Sequence, residues 1–191
     1  MTFMKTSLIK LCLLFLLIMQ LTVLNSQVWT AGDNITLQVS EFALIETNHA
    51  PVHLELSTST PGSAVSSVSN SDLFVKISSI VPGGTDREVT ARISSGSVPS
   101  GTTLTLASAA CTTTNSGGAL GTPEPNPIVL SNIDQLLVRY IATCYTGTGY
   151  NDGYQMTFTW SPLNPATNYS QIAAATYNIT VVFTLTAHDG N

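Results

Sequence analysis

Beyond an apolar N-terminal stretch, apolar side chains recur at every second position in short runs separated by clusters of Gly, Pro, Asn and Ser. Ile35, Leu37 and Val39 alternate with Thr36, Gln38 and Ser40, and Val52, Leu54 and Leu56 alternate with His53, Glu55 and Ser57. Successive side chains of a strand point to opposite faces, so this spacing predicts half-buried strands. The same pattern runs through Leu73-Val75-Ile77, Val89-Ala91-Ile93, Leu104 and Leu106, residues 128–130, residues 136–142 and Tyr154-Met156-Phe158-Trp160. The longest predicted strand is 175–187, in which Tyr177, Ile179, Val181, Phe183 and Leu185 share one face. Helical periodicity is almost absent after the N-terminal stretch. Turn clusters such as Pro82-Gly83-Gly84 and Asn151-Asp152-Gly153 separate the runs and supply the backbone conformations that reverse a strand. Nine or so short strands in this arrangement predict an all-β chain, a single antiparallel β-sandwich of immunoglobulin-like or pilin-like kind. The Thr-, Gly- and Pro-rich residues 110–127 are expected to form its long loop.

The first 26 residues carry two cations, Lys5 and Lys10, ahead of an apolar run from Leu11 to Leu24. About 14 mostly apolar residues fall short of the roughly 20 that a spanning helix needs, and Asn25 and Ser26 follow, so residues 1–26 read as a secretory signal peptide. Residues 27–191 then form one β-sandwich domain with no membrane span after cleavage, either periplasmic or extracellular. Cys12 lies inside the apolar run and not behind it, which argues against acylation at that residue.

Without Lys5 and Lys10, four cations face eleven acids, a net charge of −7. Lys76, Arg87, Arg92 and Arg139 are scattered, whereas a phosphate-binding surface needs clustered cations, so nucleic acid is not an expected partner. Only 9% of the chain is charged, while 21 Ser and 27 Thr supply its polarity, a balance suited to β-sheets and cell-surface proteins. Export leaves two cysteines, Cys111 and Cys144, and an even pair in an oxidising compartment predicts one disulfide. Closing that loop of about 33 residues would contribute roughly 3–4 kcal/mol in the chain-entropy model.

Candidate chemistry is sparse. The stretch 144–154 holds Tyr145, Tyr150 and Tyr154 with Asn151 and Asp152, a possible aromatic platform for a sugar or a partner. Its glycines precede a strand and so lack the helix N-terminus that a phosphate cradle uses. Asn151 and Asp152 fall far short of the six to eight oxygens that calcium takes. His49 and His53, four residues apart on an extended chain, stand about 13 Å from each other, too far to share a metal ion. There is no Gly-x-Ser-x-Gly elbow and no evident facing pair of carboxylates, so no enzyme and no cofactor is expected. Trp160 falls on the inward face of its strand with Met156 and Phe158, which makes it a core residue and not a stacking surface. Asn34, Asn168 and Asn178 fit the glycosylation acceptor pattern, common by chance in so Thr-rich a chain.

The segments Ser78-Ser79-Ile80-Val81-Pro82, 93–104, 144–149 and 153–160, with the terminal Thr-Val-Val-Phe-Thr-Leu-Thr186, resemble a group of small exported β-sandwich proteins of Bacteroidetes-type bacteria. The signal, size, cysteine pair and terminal strands are more loosely similar to fimbrial (pilus) subunits. Fimbrial subunits usually bridge two early cysteines, and here Cys111 and Cys144 lie later. The second likeness implies polymerisation by strand exchange, in which an extended segment adds to a neighbour's sheet edge. Residues 27–40, with Ile35, Leu37 and Val39, are the candidate donor. The expected function is thus a secreted structural or adhesive subunit at the cell surface, self-associating or bound to a surface glycan or protein. The alternative is a soluble carbohydrate-binding module with its site in the aromatic loop.

Overall fold

The computed structural model describes residues 10–15 and 32–188. The cleavage region of the expected signal peptide lies outside the described residues. Residues 10–15 are helical and exposed, and no described helix is long and apolar enough to cross a membrane. The chain divides into two units, residues 1–38 and 39–191.

The second unit is built from eleven strands: β1 Phe42–Thr47, β2 Val68–Ile80, β3 Arg87–Ser95, β4 Thr102–Ser108, β5 Gly117–Gly118, β6 Thr122–Pro123, β7 Ile128–Val129, β8 Gln135–Ile141, β9 Cys144–Tyr145, β10 Tyr154–Pro162 and β11 Thr180–Ala187. One seven-stranded sheet is organised around β2. β1 pairs with its second half (Phe42 opposite Ile80, Thr47 opposite Val75), β10 with its first half, and β9 with Ser78 and Ser79. β4 and then β7 extend the sheet beyond β10, and β5 extends it beyond β9. The second sheet runs β11-β3-β8-β6. Every pairing is antiparallel.

The period-two alternation accounts for most of the core. Leu73, Val75 and Ile77 of β2, Leu104 and Leu106 of β4 and Tyr154, Met156 and Phe158 of β10 form one buried cluster with Val89, Ala91 and Ile93 of β3 and Leu137, Val138 and Ile141 of β8. Two antiparallel sheets sharing one apolar interior are compatible with the predicted β-sandwich. Where β10 crosses β2, Gly153 adopts a φ of 106°, and a Cβ there would strike the carbonyl of Val75. Only glycine lets the turn before β10 approach β2 that closely.

Several expectations change. Residues 35–39 and 52–56 alternate as strands do but belong to no sheet. Leu54 packs against the core from irregular chain, whereas Ile35, Leu37 and Val39 are 82%, 89% and 77% exposed. The last strand begins at Thr180 and not at Ala175, and the expected loop 110–127 contains the short strands β5 and β6. The expected disulfide is absent: Cys111 and Cys144 are both free. Cys144 is used as a small core side chain on β9, between Ser79 and Gly118 in the ladder. Cys111 lies partly buried, its sulfur 3.7 Å from the Thr113 hydroxyl.

Candidate functional site

An open cleft of about 370 Å³ joins two regions far apart in sequence, the chain after β1 and the turn before β10. Its floor is set by β2. At the end of β1, Asn48 does with its side chain what another strand residue would do with its backbone. Its amide nitrogen donates to the carbonyl of Asp72 at 2.9 Å, its side-chain oxygen accepts from the Phe74 N–H at 3.0 Å, and its own N–H donates to the Phe74 carbonyl at 3.0 Å. The same side-chain oxygen accepts from the Ala50 N–H. His49 takes a φ of 55°, a left-handed conformation that His tolerates better than most residues, and so turns Ala50 and Pro51 over the cleft.

A register shift between Met156 and Phe158 disturbs the β2–β10 ladder at the level of Ser71 and Asp72. Asp72 is exposed and lines the cleft. Its Oδ2 accepts from the Asn70 side-chain amide at 2.9 Å, and no hydrogen bond reaches its Oδ1 among the described residues. Gln155 donates through Nε2 to the Ser71 carbonyl at 3.0 Å, which leaves its side-chain oxygen as the unengaged end.

The opposite wall is the loop 146–153. Here Asp152, 9% exposed, accepts from the Gly149 N–H at 2.7 Å and returns its own N–H to the Gly149 carbonyl. Side chains at positions 147 and 149 would collide with that carboxylate, so the glycines and Asp152 form one closed turn. The turn carries Tyr150, 62% exposed, and Asn151 into the lining of the cleft.

The candidate residues therefore separate. Tyr150 and Asn151 share the cleft, while Asp152 shapes the turn from within. Tyr145 is exposed on β9, and a side chain at Gly117, its partner in the ladder, would meet its ring. Tyr154 is fully buried, with its hydroxyl donating to the Leu120 carbonyl, so it is a core residue and no part of a platform. Burial first, and the neighbouring thiols second, hold its phenol protonated far above the ordinary range. Burial likewise pushes the Cys144 thiol up to about 11, with a smaller contribution from the charge of Cys111. Trp160 packs against the core as expected. His49 lies 3.7 Å from Glu46 and His53 is exposed.

Asp72, Phe74 and Gln155 were not identified from sequence as parts of a site. Their alternation announced strands, and only the pairing of β2 with β10 brings them opposite Tyr150.

By its two antiparallel sheets the chain is mostly β, with an open cleft lined by β2, the start of β10 and the chain after β1. Comparison with protein-family models, with curated proteins and with solved structures finds no match to this chain.

Proposed function

We propose that the protein is an exported, pilin-like β-sandwich acting as a structural or adhesive subunit at the cell surface, assembled by strand exchange and needing no cofactor. The supporting observation is that Ile35, Leu37 and Val39 lie outside any sheet and are 77–89% exposed, ahead of β1 in the sequence. Burying such a side chain is worth about 1.5–3 kcal/mol, so an alternating segment left in water is a strong candidate to find a partner. β11 would be the matching acceptor: it pairs with β3 on one side and, among the described residues, ends its sheet on the other. Addition of residues 27–40 from one copy to β11 of another would satisfy both, with main-chain hydrogen bonds giving affinity and the three apolar side chains setting register.

Light scattering over a range of concentrations tests this reading. The processed protein is expected to form multimers, and the double variant Ile35→Asp/Leu37→Asp to remain a folded monomer. A native protein that stays monomeric throughout would overturn it.

A carbohydrate-binding module is the second reading, favoured by the cleft and the exposed ring of Tyr150.

A further inference from the structure

We infer that the cleft between Pro51, Asp72 and Tyr150 is a binding site for a neutral, hydroxyl-rich ligand of the saccharide class; this inference rests on the second reading and assigns it a place. A volume of about 370 Å³ falls in the lower part of the range occupied by small-ligand sites, about 300–1,000 Å³.

The lining carries one charge, that of Asp72, and no Lys, Arg or His. A phosphate, sulfate or uronate would meet a carboxylate with nothing to neutralise it, so acidic ligands are disfavoured. The unengaged acceptors are Oδ1 of Asp72 and the side-chain oxygen of Gln155, whose nitrogen donates one of its two hydrogens to the Ser71 carbonyl. Asn151 adds a group that both donates and accepts. Groups that match this set must donate readily and also accept, which describes hydroxyls.

The remaining lining is apolar apart from Ser71, whose hydroxyl is paired with that of Thr157, and the Tyr150 hydroxyl. Phe74, Pro51 and the exposed ring of Tyr150 offer flat surface for the C–H face of a sugar ring, whose hydroxyls point sideways to the polar rim. The site is also held in advance. Asn48 fixes the strand below Asp72, and Asp152 closes the turn that carries Tyr150, so little ordering accompanies binding.

The test is nitrogen-labelled amide NMR on the chain from residue 27, titrated separately with cellohexaose, xylohexaose, mannohexaose and chitohexaose, and with a tetralysine peptide as the cationic competitor. Tyr150→Ala and Asp72→Asn are the cleft variants, and Tyr145→Ala is the control on the neighbouring strand.

The expected result is saturable shifts at residues 50–51, 71–74 and 150–155 with at least one neutral oligosaccharide, and affinity about tenfold weaker in each cleft variant but unchanged in Tyr145→Ala. Saccharide binding that survives both cleft substitutions and fails in Tyr145→Ala would overturn the cleft while leaving a carbohydrate-binding module standing. Shifts with tetralysine alone would reassign the cleft to cations and overturn the inference. A native protein that binds none of the four saccharides, with its folded spectrum intact, would overturn both.

Discussion

Single side chains here hold positions that the backbone alone does not secure. Asn48 makes two side-chain hydrogen bonds and one backbone bond to β2 across 24 to 26 residues of sequence. At about 0.5–1.5 kcal/mol for each net side-chain hydrogen bond, Asn48→Ala should lower unfolding free energy by about 1–3 kcal/mol, measurable by urea denaturation. Tyr154→Phe keeps the ring and strands the Leu120 carbonyl. Its cost should be about 1–3 kcal/mol, whereas Tyr154→Ala, which also opens a cavity, should cost about 3–5 kcal/mol. A Tyr154→Phe variant as stable as the native protein would show that the buried hydroxyl contributes nothing. Cys144 gives a kinetic readout of the same interior. Burial and a thiol pKa of about 11 should keep it inert to alkylation at neutral pH until the protein unfolds.

At the scale of elements, alternation in the sequence identified β2, β3, β4 and β10 because in each of them one face is buried, whereas β8 buries the adjacent Leu137 and Val138. The identical pattern at 35–39 and 52–56 misled, since alternation reports an apolar face and not the presence of a partner strand. Hydrogen bonds along an edge are long-range and leave no mark in a local window. The cleft was legible only in part for the same reason: Tyr150 and Asn151 stood out in a turn motif, while Asp72 and Gln155 looked like ordinary outward residues of two separate strands. The cysteine pair misled for another reason. Counting thiols gives parity but no distance, and the fold spends Cys144 on packing.

β11 carries a pH-dependent tie. At its end His188 donates its backbone N–H to the Asp86 carbonyl, and its ring lies 2.9 Å from Glu88 and edge-on to Tyr140. The hydrogen bond with Glu88 is the largest cause raising its pKa above the ordinary 6.5, Asp86 adds to it, and partial burial and Arg139 oppose it. A folded pKa above the unfolded one means that the stabilisation is complete below pH 6.5 and is lost as pH rises through the higher folded value. Thermal stability should therefore fall over that interval, and His188→Gln or Glu88→Gln should flatten the profile. An unchanged profile in both variants would remove the tie.

For the whole molecule, two sheets enclose one core whose surface is furnished by hydroxyls instead of charges. On the outer side of the larger sheet, Ser69 meets Thr159 at 2.8 Å and Ser71 meets Thr157 at 2.9 Å, cross-strand pairs that stabilise the sheet without ions. Such a body offers partners two things, a sheet edge at β11 and an exposed, alternating segment ahead of β1 with which to fill one. The claim that these two meet between copies is tested most directly by amide hydrogen exchange along β11 at low and high protein concentration. The account predicts that the β11 amides facing away from β3 exchange fast in dilute protein, slow markedly as the protein concentrates, and stay fast at every concentration in Ile35→Asp/Leu37→Asp. Outward amides whose exchange ignores both concentration and the double substitution would contradict it.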